Sequence, residues 1–231
     1  MSLLPPVADT LQASALQVEL DAWLAHATPE VSIRVFDELG STNTWLLAQD
    51  PPPSGQTSAA LTVHQSAGRG QHGRVWMSEP GAGLYLSVAH TWLEPPREPQ
   101  LVPMVLGVYV AGALSAAGLD ALKIKWPNDF VWQGRKLGGM LVESTSLADG
   151  RFFVVAGIGI NRDLPPSFEL KEGQSWSAGP VDLKSAGLPV SLPALVKLVL
   201  PAAADALAEF PAADLAAVRQ RFDARAWEAT A

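Results

Sequence analysis

Two short stretches hold the residues whose types and spacing could do chemistry. The first is Gly68-Arg69-Gly70-Gln71-His72-Gly73-Arg74, a glycine loop with two arginines and a histidine. Glycine backbone can wrap an anion with its N–H groups, and arginine adds paired donors to phosphate or carboxylate. The second is Lys125-Trp126-Pro127-Asn128-Asp129, where a strand-like run ends on a lysine with apolar neighbours. Asn offers both donor and acceptor there, and Asp can accept from a hydroxyl or help hold Mg²⁺. Residues 64–76 hold two Lys/Arg and no acid; residues 123–136 hold four and one acid. These windows therefore carry +5 of a net charge of −7, leaving −12 for the rest of the chain. Cations focused on two segments of an acidic protein suit a pocket for a small anion better than a nucleic-acid face. The alternatives are a solvated hairpin tip for the first stretch and an exposed strand-face charge for the second.

Gly68 to Gly73 also satisfies the G-x-G-x-x-G expression of a dinucleotide fold. That motif works only where a helix follows, because the helix N-terminus holds the pyrophosphate. Here RVWMSEPGAGLYLSV follows, which breaks at Pro80-Gly81 and resumes as strand. A Rossmann domain is thereby excluded.

The elements that must position these segments follow from periodicity. A helical segment is predicted around Asp9 to Ala27, then a strand over 31–36. Ser41-Thr42-Asn43 reads as a helix start, where a hydroxyl can cap free N–H groups. Strands are predicted at 59–65 and 84–93, and a helix at 101–119. From Leu122 a meander follows: LKIKW with Lys123 and Lys125 on one face, a hairpin through Gln133-Gly134, and a turn at Asp149-Gly150 into RFFVVAGIGI. Residues 162–192 are loop-rich, and the remainder is helical. Clustered antiparallel strands beside helices give an α+β fold.

Composition narrows the function classes. The 231 residues, 48% hydrophobic and 17% charged, are ample for a folded core. The absence of cysteine excludes a disulfide scaffold, a Cys-ligated zinc site and a thiol nucleophile. Leu101 to Leu119 is uncharged and near membrane-spanning length, but Pro103 and three glycines mark it as a buried core helix. The N-terminus lacks the basic region of a signal peptide, and no membrane partner is expected.

Ser41-Thr42-Asn43, Gln65…GRGQHGR…Trp76, LKIKWPNDFVW, RKLGGMLVES and VVAGIGINRD, in this order, together resemble the biotin protein ligase (biotin–[acetyl-CoA-carboxylase] ligase) family over about residues 31–163. The resemblance implies a mixed, largely antiparallel sheet flanked by helices, related to lipoate ligases and class II tRNA synthetase cores. It implies a cytoplasmic enzyme that joins biotin and ATP, with Mg²⁺, into biotinyl-5′-AMP. The biotinyl group would then pass to one lysine of the biotin carboxyl carrier protein of acetyl-CoA carboxylase. In that scheme Lys125 bridges the biotin carboxylate and the α-phosphate, and Arg69 clamps the adenylate. Ser41, Thr42, Asn43 and Gln65 hold the biotin head group, with Gly70, Gln71 and Gly138 beside them. Arg74, Trp76, Asn128, Lys136 and Asn161 face ATP or the adenylate.

The chain departs from the family in places. Some members have Arg-Arg where Gln71-His72 stands here, which bears on adenylate retention. Residues 1–33 contain no Lys or Arg, so residues 1–30 are expected to be a short helical extension and not a DNA-binding winged helix. Residues 31–231 are expected to form the catalytic domain, with the family's usual C-terminal β-barrel absent or truncated. A homodimer through an exposed sheet edge is compatible with the sequence, and no residue pattern decides it. The rival functions are a lipoate or octanoyl ligase of the same fold, a non-catalytic biotin sensor or repressor, and an inactive relative.

Overall fold

Side chains alternate across a β-strand, so a sheet that buries one face on helices keeps the other face for different work. The computed structural model describes residues 12–28, 30–168 and 178–228. Within them the element order is α1 (Ala13–Ala27), β1 (Val31–Leu39), α2 (Thr42–Leu47), β2 (Thr57–Gln65), β3 (Gly83–Trp92), α3 (Val102–Ala116), β4 (Lys123–Lys125), β5 (Asp129–Trp132), β6 (Arg135–Ser146), β7 (Phe152–Asn161), α4 (Leu192–Glu209) and α5 (Leu215–Asp223). The seven strands form one sheet in the order β1-β2-β3-β7-β6-β5-β4. Only β1–β2 is parallel; the other five pairings are antiparallel. The expected mixed, largely antiparallel α+β architecture is therefore observed. The start of the predicted first helix, residues 9–11, lies outside the described residues.

One face of the sheet carries Ala59 and Leu61 of β2, Leu84, Leu86 and Val88 of β3, and Val154, Ala156, Ile158 and Ile160 of β7. These pack with α1, α3 and α4 into the main core. Trp92 anchors its far end: its indole N–H donates to the Leu207 carbonyl at 2.8 Å, and its ring stacks between Phe152 and Phe210. The opposite face holds a smaller cluster of Leu46, Ala60, Ala89, Phe153 and Val155, where α2 lies across β2, β3 and β7. Because β3 is central and covered on both faces, all ten of its residues are buried. Its sequence is accordingly mostly apolar, with Ser87, His90 and Thr91 as buried polar residues.

The apolar 101–119 segment becomes α3, with buried residues all round it because α4, α5 and β6 surround it. Among the described residues only the stretch Pro99–Ala116 is long and apolar enough to cross a membrane, and half of it is buried in this core.

Both sheet edges are engaged by the chain's own groups. At β1, Gln17 of α1 donates to the Ile33 carbonyl at 3.0 Å and accepts from Val35 N–H at 2.8 Å. At β4, Ile124 N–H donates to the Arg225 carbonyl and its own carbonyl accepts from Trp227 N–H. Edge-to-edge pairing with a second copy would have to displace these bonds.

His90 sits in β3 beside Thr57, its Nδ1 at 3.1 Å from Thr57 Oγ1. Burial pushes its imidazole below the ordinary value. The folded chain keeps this ring neutral while the unfolded chain protonates it, so folding loses stability as pH falls. The loss begins below the unfolded value of about 6.5 and continues toward the depressed folded value. The thermal midpoint should thus fall as pH drops below about 6.5. His90→Gln should flatten that slope, and an unchanged slope would remove His90 as its source.

Candidate functional site

Strand register, more than chain proximity, assembles the site. Lys125 of β4 lies opposite Asp129 of β5, and Asp129 lies opposite Gly139 of β6. Gly139 lies opposite Gly159 of β7, which lies opposite Tyr85 of β3. These residues form one row on the face away from the helical core. In the next row Leu141 meets Gly157, and Gly157 meets Ser87. Glycines at 139, 157 and 159 thus leave a strip of sheet without side chains. A Cβ at Gly159 would stand 2.6 Å from the Trp76 ring, and one at Gly157 would collide with Asn43 Oδ1. The bare strip is the floor of a pocket lined by Ser41, Gln65, Arg69, Trp76, Lys125 and Lys136 among others.

One end of the pocket is a buried polar network at the start of α2. Ser41 caps the helix, its Oγ accepting from Thr44 N–H at 3.5 Å. Gln65 Oε1 accepts from Thr42 N–H at 3.0 Å and from its hydroxyl at 3.2 Å. Ser87 Oγ lies 2.6 Å from both Thr42 Oγ1 and Asn43 Oδ1, so its single hydrogen serves them in turn. Asn43 Nδ2 donates to the Leu141 carbonyl at 3.1 Å and to Glu143 Oε2 at 2.9 Å. Ser41, Thr42, Asn43 and Ser87 are all buried, and Ser41 both caps the helix and lines the pocket with Thr42 and Asn43.

The other end is cationic. Lys136 Nζ donates to Asp129 Oδ1 at 2.7 Å and stands 5.7 Å from the Trp76 ring centroid. Lys125 Nζ lies 5.3 Å from the Trp227 ring centroid. Asn128 ties itself to the Met140 carbonyl at 3.0 Å. Asn161 commits both amide hydrogens to the Lys136 and Val181 carbonyls, leaving its carbonyl oxygen as what it could offer a ligand. Of the six cations in the two basic windows, Arg69, Arg74, Lys125 and Lys136 line the pocket. Lys123 and Arg135 instead bond to the Ala224 and Pro180 carbonyls.

The glycine loop closes the pocket from above. Trp76 N–H donates to the Gly68 carbonyl at 2.9 Å and Gly70 N–H to the Arg74 carbonyl at 2.7 Å, making a narrow hairpin. Its tip turns through His72 and Gly73 at φ 57° and 74°. Gly68 is required where the strands meet, since a Cβ there would lie 2.5 Å from the Trp76 carbonyl oxygen. Arg69 leaves this hairpin to pair with Glu143 at 2.6 Å. The buried indole N–H of Trp76 has no hydrogen-bond partner among the described residues. Such a donor costs about 1–3 kcal/mol, a cost that a bound acceptor would remove.

Every sequence-predicted site residue lines the pocket except Gly138. Gly138 faces the core beside Ile160, and its Cβ would meet the Gly159 carbonyl at 2.5 Å, so its smallness serves sheet packing. Gly139, one residue on, takes the pocket position. The sequence reading also missed Glu143, Ser87 and Tyr85. Burial above all pushes the Tyr85 hydroxyl up to about 12, so it remains a neutral donor, here to the Glu79 carbonyl at 2.9 Å. Asp129 is the sole acid among the described lining residues, and no described cluster of three His, Cys, Asp or Glu could hold a metal.

The Trp76–Gly159 contact is testable. Gly159→Ala should lower stability by about 1–3 kcal/mol through overpacking, measured by urea unfolding. Most of that loss should vanish in a Trp76→Ala background; an equal loss there would place the clash elsewhere.

Comparison with known proteins matches residues 35–161 to the model of the biotin/lipoate A/B protein ligase family. The bifunctional ligase/repressor BirA of Escherichia coli K12 is 33% identical over 193 residues, covering 83% of this chain and 58% of that protein. A biotin–[acetyl-CoA-carboxylase] ligase of Mycobacterium tuberculosis is 33% identical over 139 residues, covering 55% of this chain and 48% of that protein. Among solved structures, the Aquifex aeolicus biotin protein ligase in complex with biotin and ATP superposes with a TM-score of 0.68. It is 26% identical, over 84% of this chain and 78% of that one. The chain thus spans little more than half the length of the BirA proteins it matches. The matched segment begins within β1 and ends with β7, enclosing the glycine strip and both ends of the pocket. On that match this chain belongs to the biotin/lipoate A/B protein ligase family.

Proposed function

We propose that this chain is a biotin protein ligase: it makes biotinyl-5′-AMP from biotin and ATP, then transfers the biotinyl group to a lysine of biotin carboxyl carrier protein. The observation that carries this reading is the two-ended pocket, with a buried neutral network at one end, a cationic end at the other, and Lys125 in line with the glycine strip between them. Relatives named biotin–[acetyl-CoA-carboxylase] ligase support the same substrates.

The chemistry asks for such an arrangement. A carboxylate oxygen attacks the α-phosphorus, a P–O bond forms, and the bond to pyrophosphate breaks with its electron pair leaving on the pyrophosphate. Two anions must approach each other, so fixed cations and N–H donors offset the repulsion and the charge that develops. Lys125 serves the meeting point, and Lys136 with Arg74 the phosphates. Ser41, Thr42, Asn43 and Gln65 offer donors and acceptors to the uncharged head group, while Gly70 and Gln71 border it. Trp76 supplies an apolar wall and its buried N–H, and Asn128 and Asn161 serve the nucleotide. Mg²⁺ would ride on the phosphate oxygens, because the lining acid Asp129 is already paired with Lys136. In the second step the acceptor lysine's amine attacks the acyl carbon and AMP departs. The reading puts the reaction in the cytoplasm, where ATP is supplied.

Biotin-dependent ATP–pyrophosphate exchange tests this, with lipoate as the competing acid. Exchange with biotin and little with lipoate is expected; the reverse preference would make the chain a lipoate ligase. Lys125→Ala should lower the exchange about 10²-fold or more. Normal exchange in that variant would remove Lys125 from the reaction.

A further inference from the structure

Glu143 does not line the pocket, yet it joins two of its walls, the start of α2 and the glycine loop. A single carboxylate oxygen, Oε2, accepts from Asn43 Nδ2 at 2.9 Å and from Arg69 Nη2 at 2.6 Å. Asn43 is held from three directions, by Leu141, Glu143 and Ser87, and is buried. The carboxylate is therefore anchored on its Asn43 side. On the other side, the Arg69 and Glu143 side chains remain 42% and 28% exposed. Ion pairs of that exposure are weak and exchange readily. Arg69 extends from a hairpin whose backbone is closed by its own bonds, so its guanidinium can change partner without remaking the loop.

We propose that Glu143 is a positioning residue that parks Arg69 beside the pocket, as an internal anion that a bound adenylate must replace. This rests on the ligase reading only in taking biotinyl-5′-AMP as the ligand. A guanidinium held by Glu143 is unavailable to phosphate, so apparent affinity is reduced by the fraction of molecules in which it is parked. The same device lets go when the adenylate phosphate, an anion of equal charge brought by a tightly held ligand, takes the guanidinium, and returns Arg69 to Glu143 when the adenylate has been consumed. Asn43, bonded to the same oxygen, ties this exchange to the end of the pocket proposed for biotin.

The test uses the full chain and added biotinyl-5′-AMP, with binding followed by calorimetry. Glu143→Gln keeps an acceptor oxygen for Asn43 and removes the charge that holds Arg69. It should bind biotinyl-5′-AMP about 2- to 5-fold tighter, the factor by which an ordinary exposed ion pair depletes the free guanidinium. In an Arg69→Gln background the same substitution should change affinity by less than about 1.5-fold, a dependence that loss of packing would not produce. Weaker or unchanged binding by Glu143→Gln overturns the proposal, as does equal tightening without Arg69. Should Glu143→Gln fail to fold, Glu143→Asp, which withdraws the charge by one methylene, must show smaller tightening with the same dependence on Arg69. If the wild-type chain does not bind biotinyl-5′-AMP, the ligase reading falls too; if it binds and only the variant prediction fails, that reading stands.

Discussion

Side chains can lie flat against a sheet only where its strands carry none, and the site of this chain is organised by that constraint. Gly139, Gly157 and Gly159 bare one patch of the face opposite α1, α3 and α4. What surrounds the patch then packs down onto it: the Trp76 indole against Gly159 and the Asn43 amide against Gly157. A methyl group at either position would displace a side chain that lines the pocket. The glycine loop depends on the same patch, because Trp76 closes its hairpin onto Gly68.

The opposite face makes such an open strip tolerable. Burial of β2, β3 and β7 side chains against α1, α3 and α4 fixes the register of the sheet, since a slip of one residue would invert every side chain. Register in turn places Lys125, Asp129, Gly139, Gly159 and Tyr85 in one row across five strands. Polar groups that a ligand would engage meanwhile satisfy one another: Gln65 with Thr42, Ser87 with Asn43, Glu143 with Arg69, and Asp129 with Lys136. Leaving them unpaired in a partly buried pocket would cost more than such pairs take to break.

Much of the fold was legible along the chain. Alternation located β1, β2 and the β4–β7 meander, and the Ser41 start of α2 followed from its hydroxyl and the helical run behind it. The apolar run that becomes α3 resembles a membrane span in composition, and only its neighbours α4, α5 and β6 distinguish it as core. Among site residues, Glu143 and Ser87 were not found, although Glu143 lies within the RKLGGMLVES motif. Their importance comes from partners 74 and 44 residues away, Arg69 and Asn43.

Sequence by itself determined the types and local spacing of the reactive groups, because glycine loops, capping hydroxyls and strand-end lysines act through chemistry local to a few residues. It also determined that positive charge gathers in two windows. Tertiary structure alone decided which members of those windows face one pocket, turning Arg69, Arg74, Lys125 and Lys136 inward and tying Lys123 and Arg135 to backbone carbonyls. It likewise chose between Gly138 and Gly139, which are equivalent as residues and opposite in direction. The physical reason is that direction across a sheet is set by register with neighbouring strands, and register is set by a core assembled from the whole chain.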